Sequence, residues 1–285
     1  MENKKRYKTP KWSKLNAGKV TPVEPQAGSW PLNFFKRNTS NQWTDLEGKL
    51  VSFKIRNPYR IDFAGSELNA VLETQQNLTD EQRTIASYFG FGPPTKQWTP
   101  IIDRLIDTYN VNPPRAARIL AATQAAMNDA FVITWHLKYT FDIARPNQLD
   151  PSIETVLPTP HFPAYPSGHS TVSGCAEVVL GYFFPAERAR LREIAEQGSM
   201  SRLYACVHFP IDNSEGLRLG RQIGQHIVRE LRRDRDGENT PVDNPFKEGK
   251  GAILPPPPWE QAMPFPPADP AQNTQQPQRN PFFFF

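Results

Sequence analysis

The sequence predicts an all-α protein in which a single helical bundle carries an extended N-terminal arm and a disordered, Pro-rich C-terminal tail. Helical patterns dominate the middle of the chain, whereas both ends lack a sustained period. The 285 residues are 38% apolar and include 30 prolines, which suits one sizeable core with irregular ends. We therefore expect an arm over residues 1–62, a bundle over 63–233 and a tail over 234–285.

The arm is rich in Lys, Pro, Asn and isolated aromatic residues. We expect it to extend over the bundle and to pack there in places, for instance through residues 30–35. Lys4, Lys5 and Arg6 contribute to a net charge of +4 and are interpreted as a solvated tail. No nucleic-acid motif or basic stripe with interleaved aromatic residues accompanies them, so nucleic acid is not an expected partner.

Helical patterns in the bundle fall at 65–77, from Thr79 onward, and at 98–110, 112–141, 168–183, 186–207 and 213–233. Thr79 and Gln82 form a capping box, which starts one of these helices. Asn112 precedes Pro113, and proline at a helix start predicts the long helix over 112–141. The sequence therefore indicates a bundle with short connections except in one place.

That place is residues 145–166, a Pro-rich segment too long for a simple connector and therefore a candidate wall of a site. Pro210 predicts a helix break further along the chain. From Asp234 the sequence becomes polar and then Pro-rich, which is typical of disorder or polyproline II, and it ends in four phenylalanines at 282–285.

We expect a cytoplasmic protein without a membrane span, because the sequence shows neither an apolar span nor a signal peptide. The longest apolar-leaning stretch, 116–137, is interrupted by Arg118, Asp129 and other polar residues that a bilayer would disfavour. No apolar segment of a signal peptide follows the charged start. Cys175 and Cys206 fit no zinc spacing and are expected to be buried thiols, with a disulfide between them left open.

Three blocks of sequence carry the candidate chemistry: Lys138 to Pro146, which includes Arg145; Pro166-Ser167-Gly168-His169; and Ser201 to Asp212, which includes Arg202 and His208. Arginine offers a planar fork and lysine a point charge, and both neutralise anionic oxygens. Ser167 and Gly168 would add a hydroxyl and a backbone N–H where a helix is predicted to begin, and its dipole also favours an anion. The blocks together predict a site for a tetrahedral oxyanion.

In this order and spacing, the blocks resemble the signature of the superfamily that joins type 2 phosphatidic acid phosphatases to vanadium-dependent haloperoxidases. The resemblance covers roughly residues 78–232 and implies a bundle of the haloperoxidase/acid phosphatase type. It implies that His208 binds vanadium or attacks phosphorus and that His169 transfers protons. Asp212 would hold the other ring nitrogen of His208.

At two positions the aromatic residues of this sequence resemble those of the haloperoxidase branch. Trp135 precedes Lys138 by about one helical turn and is expected on the same face. Phe162 lies seven residues before His169, where the resemblance places a residue of the halide pocket. Ordinary core packing is the alternative for both. Asp129 is expected to be structural, as are the other histidines, with His226 on the polar face of its helix: His136, His161 and His226.

The resemblance therefore implies an oxidoreductase that uses vanadate on His208, with hydrogen peroxide and halide as substrates. The oxygens of the vanadate would be bound by Lys138, Arg145, Ser167, Gly168 and Arg202. A phosphatase that hydrolyses small phosphate esters through a phosphohistidine at His208 is the alternative, and it needs no cofactor. Cys206 departs from the haloperoxidase pattern, and the chain encodes one bundle where the large enzymes have two, so both activities stay open.

A third possibility is a scaffold that binds an oxyanion without catalysis. It is disfavoured by the acid/base pair of histidines and by Asp212, which a scaffold would not need. The expected partners are small molecules, and self-association into a homo-oligomer stays open.

Overall fold

The computed structural model describes residues 7–263 and confirms the predicted all-α class. Its helices are α1 (Trp12–Asn16), α2 (Leu68–Gln76), α3 (Asp80–Gly90), α4 (Pro94–Thr108), α5 (Pro113–Phe141), α6 (Pro146–Leu149), α7 (Gly168–Phe183), α8 (Arg188–Tyr204) and α9 (Pro210–Leu231). In the arm, β1 (Lys36–Arg37) pairs antiparallel with β2 (Trp43–Thr44). None of the helices in this part of the chain combines the length and apolar content that a membrane crossing needs. The features noted at residues 4–6 and 282–285 lie outside the described residues.

The helix starts follow the sequence signals closely. Thr79 Oγ1 accepts a hydrogen bond from the backbone N–H of Gln82 at 3.2 Å, and Gln82 Oε1 accepts from the N–H of Thr79 at 3.0 Å, which is the predicted capping box of α3. At the start of α5, Oδ1 of Asn112 caps the helix by accepting a hydrogen bond from the backbone N–H of Arg115 at 3.1 Å. The interpretation of Pro210 needs correction: it is the first residue of α9, because a missing N–H costs nothing there.

Helix α7 is the centre of the bundle and packs against α5, α8 and α9. Its contact with α9 is unusually close because glycines line that face of α9. A Cβ on Gly220 would lie 2.0 Å from the carbonyl oxygen of Thr171, and one on Gly216 would lie 2.7 Å from that of Ser167. The two backbones therefore touch, and the N-terminal ends of both helices lie side by side.

Within the extended arm, α1 and the β1–β2 pair are short regular elements. The arm is fixed to the bundle at Asp129 on α5, whose carboxylate accepts from the backbone N–H groups of Asn33 and Phe34 at 2.8–3.1 Å. The next residue, Phe35, is buried and stacks on His226 with ring centroids 4.6 Å apart. His226 is thus buried under the arm and does not lie on a polar face, which corrects the prediction.

The first part of the predicted tail, 234–263, lies along the bundle. Leu254 is buried, the N–H of Phe246 donates to the carbonyl of Phe183 at 2.8 Å, and the Trp259 ring meets Tyr88 edge-on. The Pro-rich sequence did not indicate these contacts. Both cysteines of the bundle are buried free thiols.

Candidate active site

Five segments of the bundle bring the motif residues to the N-terminal end of α7. The cations come from the end of α5, the residue before α6 and the end of α8, while the histidines and the carboxylate come from the starts of α7 and α9: Lys138, Arg145, Arg202, His169, His208 and Asp212. The close approach of α7 and α9 places these starts together, and the N–H of Ser167 donates to the carbonyl of Asp212 at 2.9 Å.

His208 is buried between a carboxylate and a guanidinium. Its Nδ1 lies 2.9 Å from Oδ2 of Asp212, and its Nε2 lies 3.0 Å from Nη1 of Arg145. An arginine can only donate, so Nε2 carries the lone pair and Nδ1 carries the proton. Burial, and then the charge of Arg145, lowers the pKa of His208 well below its ordinary value. The imidazole is therefore neutral, with one defined tautomer.

The carboxylate that fixes this tautomer is itself held. Oδ2 of Asp212 accepts a second hydrogen bond, from the backbone N–H of Phe209 at 3.0 Å. Burial raises the pKa of Asp212, while that N–H and the charges of Lys138 and Arg145 oppose the rise. Because Asp212 lies in the first turn of α9, the helix positions the carboxylate directly beside His208.

Lys138 and Arg145 are fully buried, and backbone carbonyls fix their positions. Nζ of Lys138 donates to the carbonyls of Pro163 and Ala164 at 2.8 and 2.7 Å. Nε of Arg145 donates to the carbonyl of Phe162 at 2.9 Å. Carbonyls carry no formal charge, so they hold the cations without neutralising them. Burial and the repulsion of the neighbouring guanidinium groups lower the pKa of Lys138 well below its ordinary value.

Several buried polar atoms at this site have no hydrogen-bond partner among residues 7–263: Nε and Nη1 of Arg202, Nε2 of His169 and Oδ1 of Asp212. Buried donors left unpaired are costly, and groups of this kind usually have a ligand or water as partner. Arg202 is only 2% exposed, so bulk water does not satisfy its guanidinium. The residues thus fit an oxyanion between Arg202 and the other two cations.

His169 is the second histidine of the site. Its ring donates to the backbone carbonyl of Phe89, and since Nε2 has no partner in the described chain, the donor is Nδ1. Burial and the charges of Arg202, Lys138 and Arg145 lower the pKa of His169 well below its ordinary value. The Nε2 lone pair is therefore available to take or return a proton.

The start of α7 completes the cradle. Ser167 caps the helix and is fully buried, and Gly168 is its first residue. A Cβ on Gly168 would lie 3.4 Å from the Trp135 ring and 3.8 Å from Cε of Lys138. Glycine thus allows the first helical turn, with its free N–H groups, to lie close to the buried lysine.

Trp135 and Phe162 form an aromatic pair beside the cations, with ring centroids 4.7 Å apart. The Phe162 ring lies 5.2 Å from Nζ of Lys138 and 4.9 Å from Cζ of Arg145. The pair is buried, as the core alternative also predicted, but its neighbours are two charges rather than other core residues alone. It makes an apolar wall with positive charge behind it.

Sequence reasoning missed three contributors to this site. Phe89 and Val23 act through backbone carbonyls, and Val23 accepts from Nε1 of Trp135 at 3.3 Å and from the hydroxyl of Tyr139 at 2.7 Å. Glu67 accepts from the N–H of Ile211 at 2.9 Å, next to Asp212. A carbonyl is common to every residue type, so no sequence signal could have identified the first two.

Comparisons with known proteins agree with the motifs. Residues 117–235 match the family model of the PAP2 superfamily, which confirms the resemblance for the span that holds all the candidate site residues. No curated protein matches the chain.

Among solved structures, the chain is similar to a bacterial vanadium-dependent iodoperoxidase, with 24% identity and a TM-score of 0.61. The similarity covers 78% of this chain and 60% of the iodoperoxidase chain. The chain is also similar to the holo form of a bacterial vanadium-dependent chloroperoxidase, with 16% identity and a TM-score of 0.58 over 73% of this chain and 55% of that chain. The chain thus spans less than two thirds of either protein. At these identities the likeness shows a shared fold.

Proposed function

We propose that this chain is an oxyanion-dependent enzyme of the haloperoxidase type, which uses vanadate on His208 to oxidise halide with hydrogen peroxide. The observation that carries the proposal is a neutral His208, held by Asp212, among buried cations of which Arg202 has unpaired donors. This arrangement combines a nitrogen lone pair, which could bind vanadium or attack phosphorus, with donors that could neutralise the oxygens of a tetrahedral oxyanion.

The donor set suits vanadate better than a bare metal cation. Within the described ranges, no group of three or more His, Cys, Asp and Glu side chains could hold a metal ion. Vanadate would be held by His208 and by the donors of the cradle: Lys138, Arg145, Ser167, Gly168 and Arg202. Bound there, it would supply the Lewis-acidic centre at which peroxide becomes able to oxidise halide.

The protein's own residues then manage protons. Oxidation of a halide by peroxide consumes one proton and gives hypohalous acid and water. His169 is the group placed to deliver that proton, since its Nε2 has no other partner within residues 7–263. An anion bound among the cations would raise the pKa of His169, so that it is protonated when needed.

The aromatic pair supports halide rather than phosphate ester as the substrate. A halide ion is weakly hydrated and binds where positive charge borders an apolar wall. Phe162 has Lys138 and Arg145 near its ring, and Trp135 closes one side. A phosphomonoesterase needs no such apolar wall beside its cations.

Phosphatase activity is the second candidate, and the geometry of His208 favours it to a similar degree. With Nδ1–H bound to Asp212, Nε2 could attack phosphorus, forming the N–P bond as the ester P–O bond breaks. The leaving oxygen would take its proton from His169, and the same residue would then activate water to cleave the phosphohistidine. Lys138 and the two arginines would stabilise the charge on the transferred group.

A paired assay on one metal-free preparation separates these activities. Bromide- and chloride-dependent halogenation is followed with peroxide and added vanadate, and p-nitrophenyl phosphate hydrolysis is followed without vanadate. We expect halogenation that requires vanadate and is lost in His208→Ala. Phosphate release that vanadate abolishes, with no halogenation, would overturn the haloperoxidase assignment in favour of the phosphatase. If neither activity is found, and His208→Ala still binds vanadate as the wild type does, the site is not catalytic.

A further inference from the structure

A chain of buried hydroxyl groups lies behind the candidate anion site. Oγ of Ser170 lies 3.0 Å from Oγ of Ser167 and 2.8 Å from Oγ of Ser199 on α8. Ser167 and Ser170 are fully buried, and Ser199 is 2% exposed. The three residues thus connect α8 to the start of α7 through side chains that bulk water does not reach.

The protons of this chain can be assigned from its distances. A hydroxyl has one proton to donate and two lone pairs. Ser199 could donate to Ser170 at 2.8 Å or to the carbonyl of Asn213 at 3.5 Å, and the shorter contact is much the stronger. Ser170 therefore accepts from Ser199, and its own proton goes to Ser167 at 3.0 Å rather than to Oδ1 of Asn213 at 3.5 Å.

This assignment decides what Ser167 can do. Its Oγ accepts from the hydroxyl of Ser170 and, more weakly, from the N–H of Ser170 at 3.4 Å, so both lone pairs are engaged. No acceptor for its proton is found among residues 7–263, which leaves that proton available to an oxyanion bound in the site. Each hydroxyl in such a chain polarises the next, which makes the last one a better donor.

We propose that Ser170 is a positioning residue, which makes Ser167 a donor to the bound oxyanion and prevents it from turning its lone pairs toward that anion. The inference rests on the proposed oxyanion site and specifies how one of its ligands is controlled. Ser199, on α8, is the third member of this row of hydroxyl groups. The close approach of Gly216 on α9, where a Cβ would lie 2.8 Å from Cβ of Ser170, keeps other groups away from the hydroxyls.

The test is binding of inorganic phosphate to the full chain by calorimetry, in the wild type, Ser170→Ala, Ser167→Ala and the double variant. Loss of one neutral hydrogen bond weakens binding by roughly three- to tenfold. We expect Ser170→Ala and Ser167→Ala each to weaken phosphate binding to this extent. In the double variant the loss should equal that of Ser167→Ala alone, because Ser170 acts only through Ser167.

Ser173→Ala is the matched control. Ser173 is a buried serine one turn further along α7, and its Oγ accepts from Nε1 of Trp98 at 3.1 Å, away from the chain of hydroxyls. It should cost stability without changing phosphate affinity. Ser170→Cys, which keeps a weak donor of similar size, should lie between wild type and Ser170→Ala, and it replaces Ser170→Ala if that variant does not fold.

The outcomes separate this inference from the proposed site. Phosphate affinity that falls in Ser167→Ala but not in Ser170→Ala would overturn the role of Ser170 and leave the site intact. Additive losses in the double variant would also overturn it, since Ser170 would then act independently. Failure of the wild type to bind phosphate or vanadate would instead remove the oxyanion site, and the inference with it.

Discussion

Nη1 of Arg145 lies 3.0 Å from Nε2 of His208, the ring nitrogen that faces away from Asp212. The guanidinium, which can only donate to Nε2, and the carboxylate, which accepts from Nδ1, both favour the same neutral tautomer. The same contact means that Arg145 occupies the lone pair that a phosphorus or vanadium atom would need. If an oxyanion binds here as proposed, this donor must turn to an anionic oxygen, which would couple anion binding to exposure of the His208 lone pair.

The contribution of Asp212 to the tautomer of His208 can be tested with the variant Asp212→Asn. The amide keeps the size but lacks the charge that favours a proton on Nδ1, so the orientation and basicity of His208 should suffer. We expect kcat/KM of whichever activity is found to fall by about 10–100-fold, as for other groups that orient a ligating histidine. Ser214→Ala, an exposed neighbour on the same helical turn, should leave kcat/KM unchanged. Wild-type kcat/KM in Asp212→Asn would show that Asp212 does not control His208.

Anion binding should be accompanied by proton uptake. In the free protein, burial and mutual repulsion lower the pKa of Lys138 and of His169. A bound anion favours the protonated forms, so both pKa values rise on binding and affinity falls as pH rises through the interval between free and bound values. Sulfate is the suitable probe, because it does not itself titrate in this range.

Calorimetry of sulfate binding at pH 7 to 8, in two buffers of different ionisation enthalpy, measures that uptake directly. Lys138→Met should reduce the number of protons taken up as well as the affinity. Binding without proton uptake, with an affinity that does not change over this pH range, would mean that these groups are already charged in the free protein.

The packing of α9 on α7 predicts that Gly220→Ala is severely destabilising. The added Cβ would lie 2.0 Å from the carbonyl oxygen of Thr171, which is backbone and cannot move aside. Overpacking usually costs about 1–3 kcal/mol, and a clash with backbone belongs at the upper end of that range or beyond. The measurement is the free energy of unfolding in urea. Gly237→Ala, where a Cβ would meet nothing within 4 Å, is the control and should be nearly neutral. A neutral Gly220→Ala would indicate looser contact between the two helices.

The sequence predicted what depends on local signals. The capping box at Thr79, the proline-initiated α5 and the start of α7 are local in the chain, and each was placed within a few residues. The motif residues were singled out by the order and spacing of the three blocks, through their resemblance to a known family, since any one block alone is a weak signal. What could not be predicted are contacts between distant segments, such as Phe35 over His226 or the carbonyl of Phe89 beside His169. These depend on how the arm and helices pack, and a backbone carbonyl leaves no trace in the residue type.

The arm provides the last prediction, at Asp129. Its carboxylate accepts from the backbone N–H groups of Asn33 and Phe34, and Asp129→Ala would leave both without that acceptor. An unpaired buried donor costs about 1–3 kcal/mol, but Asn33 is exposed and Phe34 half-buried, so water replaces part of the lost acceptor and the variant should lose about 1 kcal/mol of unfolding free energy or release the arm. Because Val23 of the arm also accepts from Nε1 of Trp135, release should disturb the aromatic pair and lower halide-dependent activity more than phosphate binding.

Limited proteolysis distinguishes the two responses to Asp129→Ala. An arm that is released becomes susceptible near residues 20–35 while the bundle keeps its melting temperature, whereas global destabilisation lowers that temperature. Asn128→Ala, which removes only a 3.3 Å contact to the same carboxylate, should have a much smaller effect in both assays. An Asp129→Ala protein with wild-type stability and wild-type cleavage would show that the arm is held elsewhere, through Phe35 and the β1–β2 pair.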